Sequence, residues 1–383
     1  MMLTMIGLTA LPALILPTHV QAADAHSLSL PPRPIWSPDG QSIAYYNEGG
    51  LSVMDRDGTN VRQITPVGVL ERWTSDSRGL ILNIGYVVDH AEWWLYLIDG
   101  SEPQRILVEF SIIARMTYSP DGKYLALYGR KTETDLMGIW LVGVTDGIPD
   151  SNSILLADTV ISAYDVWEIN WTKLGDELIL GAWQSATEKA SRISLAINQS
   201  ANQPLQTLDE AKIEPLDLKD TLYLAGGWQL DYDPDQRLNP EAYAVSTVVS
   251  HFDQVSIPLN RLIYGYAIAQ SPDEQSLAYV SYCHADVVYS AVSQGEAWGI
   301  SDPATQTVLY MLNVTTRIKT PIFPCGSGSQ HHPSFSPDGT SMVFAVLDAS
   351  GWHIYQADLL PDTELLPDTA GITVNLVDIT PAD

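Results

Sequence analysis

The sequence predicts an all-β chain folded as a β-propeller of four-stranded antiparallel blades. Three observations carry that expectation. First, the tetrapeptide Ser-Pro-Asp-Gly occurs three times, each time behind an aromatic residue: Trp36-Ser37-Pro38-Asp39-Gly40, Tyr118-Ser119-Pro120-Asp121-Gly122 and Phe335-Ser336-Pro337-Asp338-Gly339. A near copy, Gln270-Ser271-Pro272-Asp273-Glu274, makes a fourth. Second, each copy is followed by a short run rich in β-formers. Third, no convincing long amphipathic helix interrupts the pattern; only Thr207 to Glu214 reads as a short helix. Self-similarity on a period of tens of residues marks a repeat architecture.

The repeat is a tight turn between two strands. Proline presets φ at the second turn position, aspartate tolerates the third and glycine suits the fourth. The strands that follow are Ser42 to Tyr46, Tyr124 to Tyr128, Ser276 to Val280 and Ser341 to Ala345. A second set comes after a loop: Leu51 to Met54, Ile139 to Val142, Val308 to Met311 and His353 to Gln356. Asp57-Gly58 then signals a hairpin into a short outer strand, Val61 to Thr65. One unit therefore reads as four antiparallel strands, and radial repetition of such units is how propellers protect their edges. Degenerate copies keep an aromatic before a turn at Trp73, Trp171 and Tyr232. With anchors at 36, 73, 118, 171, 232, 270 and 335, seven blades are favoured and six is the alternative.

This pattern resembles the TolB-like propeller family and, more broadly, WD-repeat-like propellers. The TolB-like repeat runs aromatic-Ser-Pro-Asp-Gly, a Leu/Ile-Ala-Tyr/Phe strand, an Ile-Tyr-like strand and Leu-Thr. The first unit matches through Trp36 to Gly40, Ile43-Ala44-Tyr45, Val53-Met54-Asp55, Asp57-Gly58 and Ile64-Thr65. The resemblance spans roughly residues 34–381 and implies a propeller standing alone. TolB's separate N-terminal domain has no room, and the hydrolase domain of prolyl-oligopeptidase-type enzymes has no counterpart.

The expected organisation is a signal peptide at 1–22, an N-terminal extension at 23–33 and a propeller domain at 34–383. The first segment is apolar and closes on Val20-Gln21-Ala22, a small-residue cleavage pattern, although it lacks a basic n-region. A periplasmic or secreted protein is therefore expected. The 46 acidic and 19 basic residues give a net charge of −27. Such a chain repels phosphate backbones and anionic membrane surfaces, so nucleic acid is excluded as a partner class. No further stretch is long and apolar enough for a spanning helix. The expected partner is a protein or a small-molecule or saccharide ligand, met by a monomer.

Alternating strand direction puts the Ser-Pro-Asp-Gly turns on one face. The loops between second and third strands, and the connections between blades, fall on the other. Candidate binding residues gather there by this logic: His331 and His332 leading into the last blade, His284 and His90 in second-to-third-strand loops, and Trp298 in a long aromatic connection. Cys283 and Cys325 fall on the same face in adjacent blades and, in an exported chain, read as a disulfide. Converging imidazoles could hold a transition metal, as His and Gln do in the propeller-type oligogalacturonate lyases that this face resembles. Asp55-x-Asp57-Gly58-x-Asn60 looks like half of a Ca²⁺ loop but lacks the closing glutamate, since Pro66 stands in its place. No nucleophile elbow, His-Glu-x-x-His pair or phosphate loop is present.

The residues Pro38, Asp39, Gly40, Pro120, Asp121, Gly122, Pro272, Asp273, Pro337, Asp338 and Gly339 are read as structural turns, not catalysts. The expected function is an exported ligand- or protein-binding scaffold without cofactor. The alternative is a propeller lyase or hydrolase using Ca²⁺ or a transition metal on the histidine-bearing face.

Overall fold

The computed structural model describes residues 32–381 apart from 85–91, 158–160, 198–211, 217–219, 225–227, 233–244, 251–255, 261–267, 283–306, 324–325, 361–372 and the single positions 173, 185, 188 and 317. Residues Pro31–Asp383 form one compact unit; the unit Met1–Leu30, with the expected signal segment, lies outside the described residues.

The strands form seven four-stranded sheets, and in each the hydrogen-bonded order follows chain order. All strand pairs are antiparallel. The first sheet holds β1 (Ile35–Trp36), β2 (Ser42–Asn47), β3 (Gly50–Asp55) and β4 (Arg62–Thr65). The second holds β5 (Val69–Trp73), β6 (Gly79–Ile84), β7 (Glu92–Leu97) and β8 (Gln104–Ile106). The third comprises β9 (Ile112–Tyr118), β10 (Tyr124–Arg130), β11 (Gly138–Thr145) and β12 (Ile148–Ala157). The fourth comprises β13 (Asp165–Trp171), β14 (Glu177–Gln184), β15 (Lys189–Ala196) and β16 (Lys212–Leu216). In the fifth stand β17 (Asp220–Leu224), β18 (Trp228–Tyr232), β19 (Val245–Ser250) and β20 (Ser256–Asn260). In the sixth stand β21 (Ile268–Gln270), β22 (Ser276–Tyr282), β23 (Thr307–Asn313) and β24 (Lys319–Pro321). The last is made of β25 (Ser329–Phe335), β26 (Ser341–Asp348), β27 (Gly351–Leu360) and β28 (Thr373–Asp378).

First strands neighbour one another: β9 lies beside β13, and β25 beside both β21 and β1. They therefore surround the axis, and the fold is a β-propeller of four-stranded antiparallel blades. Strands β2, β3, β6, β10 and β26 are buried along most of their length, which is why they read as nearly continuous apolar runs. Ala44 and Val53 of the first sheet pack on Leu80 and Leu82 of the second. Ile81 and Leu95 then meet Leu125 and Leu127, and Ala126 and Ile139 meet Leu178 and Leu180. Across the seam between last and first sheets, Val343 and Ile354 pack on Ile43 and Met54, with Ile379 buried beside them. Among the described residues no sheet borrows a strand from another, so the seam is closed between side chains.

Each Ser-Pro-Asp-Gly turn is built the same way. Ser37 Oγ donates to Asp39 Oδ1 at 2.6 Å and accepts the Ser42 N–H at 2.9 Å. Ser119, Ser271 and Ser336 make the same pair of bonds. The serine is buried in every copy because its hydroxyl satisfies a strand N–H that water cannot reach. Thr74 does the same in its degenerate copy, and Thr172 accepts the Glu177 N–H but donates to Asp176, four residues on. The fourth position needs a left-handed backbone: Gly40, Gly122 and Gly339 have φ of 68°, 70° and 72°.

Two expectations are corrected. Tyr232 does not end a first strand; it closes the second strand β18, which pairs with β17 from Asp220↔Tyr232 to Leu224↔Trp228. Thr221 to Leu224 belong to the first strand, and the sequence between it and β18 holds Gly226-Gly227 in place of an aromatic-Ser-Pro signal. Of the short helix expected over Thr207 to Glu214, 207–211 lie outside the described residues, and the remainder is not helical, because Lys212–Leu216 is the strand β16, paired to β15.

Candidate functional site

β26 starts at a Ser-Pro-Asp-Gly turn, so the β26–β27 hairpin lies at the opposite end of its sheet. Strand β25 enters from that same end and bulges there: His331 pairs with Ala345 and Ser334 with Val343, leaving two residues opposite one. His332 sits in the bulge with φ of 52°. A bulge re-aims side chains and recurs beside functional sites. The His331 ring meets Trp352 edge-on, with centroids 5.3 Å apart, and lies 6.1 Å from the His332 ring. Burial pushes the His331 pKa down to about 4, so the imidazole is neutral at pH 7.

The strand beneath this group is bolted down. Gln330 is fully buried; its Oε1 accepts the Leu309 N–H at 2.6 Å and its carbonyl accepts Thr307 Oγ1 at 2.6 Å. On the other side of β27, His353 stands between two carboxylates, with Nε2 3.4 Å from Asp348 and Nδ1 3.2 Å from Asp378. Ser350 Oγ lies 2.8 Å from His353 Nε2. The Asp348 carboxyl is pushed up by burial, but the Ser350 hydroxyl and backbone bonds and His353 outweigh this and leave it below the usual range.

Of the expected contact residues, the structure therefore places His331 and His332 together. His90, His284, Trp298, Cys283 and Cys325 lie outside the described residues. Trp352 and His353 were missed from sequence, because in an alternating strand they read as ordinary β-formers. Among the described residues no group of three or more His, Cys, Asp or Glu could hold a metal ion. The half Ca²⁺ loop closes on itself: Asn60 Nδ2 donates to Asp55 at 2.7 Å, and Thr59 Oγ1 to Asp57 at 2.6 Å.

The axial wall is a second polar zone. First strands have one edge unpaired within their sheet, and side chains from a neighbouring sheet reach it at Ile35, Met116 and Thr117. Trp73 Nε1 donates to Ile35 O at 3.1 Å, and Trp171 Nε1 to Thr117 O at 3.3 Å. Trp73 and Trp171, each just before its turn, are thus staples between first strands, whereas Tyr118 donates to Gly147 O within its own sheet at 3.2 Å. Arg72 Nη2 donates to Met116 O. Desolvation lowers the Arg72 pKa from its ordinary value, with Glu71 and Tyr118 pulling the other way, yet 27% of the side chain remains accessible. On β13, Asn170 Nδ2 donates to Glu168 at 2.7 Å.

No protein-family model matches the chain, and no curated protein matches it. Among solved structures the chain is similar to dihydro-heme d1 dehydrogenase NirN in complex with DHE, at 13% identity and a TM-score of 0.49 over 91% of this chain; it spans 66% of that protein. It is similar to TolB from Acinetobacter baumannii at 13% identity and a TM-score of 0.38, covering 85% of this chain and 75% of TolB. The β-propeller domain of Cps50 (Swd1) from Myceliophteria thermophila gives 12% identity and a TM-score of 0.48, over 85% of this chain and 95% of that domain. These likenesses concern the fold. Among the described residues no helix is long and apolar enough to cross a membrane.

Proposed function

We propose that the chain is an exported, TolB-like propeller that acts as a monomeric scaffold, binding a protein or a small ligand on its loop-bearing face. The observation that carries this reading is the His331–Trp352 contact at 5.3 Å beside the β25 bulge. A neutral imidazole against an indole edge offers an apolar platform with a hydrogen-bonding rim, the usual make-up of a recognition spot. Gln330 holds the strand below it, so the platform is preformed.

The test compares wild-type protein with the His331→Ala/Trp352→Ala variant on a saccharide array and in capture from the native cell envelope. Loss of a specific partner in the variant, with its thermal transition retained, supports the reading. Equal capture by both proteins rejects it. The metal-dependent alternative is examined on the same preparation by elemental analysis. Stoichiometric transition metal or Ca²⁺, lost in His331→Ala/His332→Ala, would replace the scaffold reading with the enzymatic one.

A further inference from the structure

We infer that Arg72, on the axial wall, anchors a site for the carboxylate group of a small ligand. The site is separate from the loop-bearing face, and its chemistry comes from three features.

Arg72 sits on β5 where the pairing with β6 slips between Leu70 and Arg72, a bulge that redirects its side chain. A guanidinium carries five N–H donors in a planar fork and cannot be neutralised in a protein. One bond is made here, from Nη2 to the Met116 carbonyl on the next sheet's first strand. Nε is buried without a partner. The neighbouring Glu71 stands 3.9 Å from Nη2, beyond hydrogen-bond length, so it does not complete the fork.

A partly desolvated cation with unused donors gains from an anion that completes its shell. The accessible 27% of the side chain leaves an approach for one. Because Nε is closed to solvent, a carboxylate would meet the guanidinium end-on at its Nη atoms, with two N–H···O bonds. The net charge of −27 argues for a singly charged group over a phosphate, because the field of the whole chain penalises each added negative charge.

The test uses the intact protein and measures the rate at which phenylglyoxal modifies Arg72, mapped by peptide mass, at constant ionic strength. Acetate, succinate and benzoate are added in turn, with inorganic phosphate as the comparison. The expected result is at least fivefold protection of Arg72 by a carboxylate, with a matching rise in Tm. Arg72→Lys, which keeps the charge but loses the fork, should abolish the rise. His331→Ala should keep it, which separates this site from the loop face. If Arg72→Lys fails to fold because the Met116 carbonyl loses its donor, protection of the wild-type residue still decides. Unchanged labelling with every carboxylate overturns the proposal, and so does phosphate protecting as well as they do.

Discussion

The backbone N–H of Asp39 donates to the hydroxyl oxygen of Ser77 at 2.9 Å, joining the turn of the first sheet to that of the second. The contact is one link in a chain of turns. Ser75 Oγ donates to Gly122 O at 3.2 Å, carrying the link to the third sheet. In the other direction, a Cβ at Gly40 would lie 3.4 Å from Pro337, and one at Gly339 would lie 3.5 Å from Pro272. The repeated turn therefore also braces neighbouring sheets at the axis. Ser77→Ala keeps the backbone demand, with φ at 63°, and removes only the acceptor. It should cost about 1–2 kcal/mol, read as a lower denaturant midpoint with unchanged slope.

Glu274 occupies the glycine position of the fourth turn with φ of 65°. A residue with a Cβ is strained in that region by roughly 1–2 kcal/mol, and glycine is not. Glu274→Gly should therefore raise stability by about 1 kcal/mol in denaturant titration, after the greater freedom of glycine in the unfolded chain is deducted. A drop in stability would mean that contacts of the glutamate side chain outweigh the strain.

Ser37 is fully buried, and its hydroxyl both donates to Asp39 and accepts from Ser42. Ser37→Ala leaves a buried strand N–H unsatisfied and should cost about 1–3 kcal/mol. Ser37→Thr should be close to neutral, because Thr74 makes the same pair of bonds in its own turn. Thermal melts of the two variants side by side check the contrast.

Two pH windows separate two groups. His331 has its folded pKa lowered from 6.5 to about 4 by burial. The unfolded chain then binds more protons than the folded one between those values. Stability should fall as pH drops from about 6.5 to 4, by about 2 kcal/mol once partial exposure is allowed for, and His331→Gln should flatten that slope. Asp338 is held low by its Ser336 bond. In Asp121, burial raises the pKa, but bonds from Ser119 and Lys123 more than offset it. These depressed carboxyls stabilise the fold above their ordinary pKa, and that contribution is lost as pH falls through the lower folded values. Denaturant titrations from pH 7.5 to 3 should show the first loss in the wild type alone and the second in both proteins.

Packing at the first-strand staple can be probed in the same way. Trp73→Phe keeps an aromatic side chain, smaller than the indole, and leaves the Ile35 carbonyl without its donor. A loss of about 1–2 kcal/mol is expected in a denaturant titration.

The turns were legible in the sequence because their chemistry is local: Ser37 to Gly40 contain nearly everything the turn needs. Strands β2, β10, β22 and β26 were legible for the same reason, as apolar runs directly behind those turns. The fifth sheet was not, because Leu224 and Trp228 are joined without an aromatic-Ser-Pro signal and Tyr232 offered a false one. At the candidate site His331 and His332 could be noticed, but not Trp352. That residue reaches His331 only through the Leu347↔Trp352 register and the bulge in β25. Arg72 reads as an ordinary surface charge until the first strands are known to face the axis.

The seam between Val343 and Ile43, sealed by side chains and not by a shared strand, bears on how the molecule could change over time. Each sheet is a self-contained length of chain, so gaining or losing one would require only that two packing faces be re-matched. The same seam is the natural place for the ring to part under mechanical load. Nothing there must be unthreaded; Ile379, buried at the seam against the first sheet, would have to leave its packing.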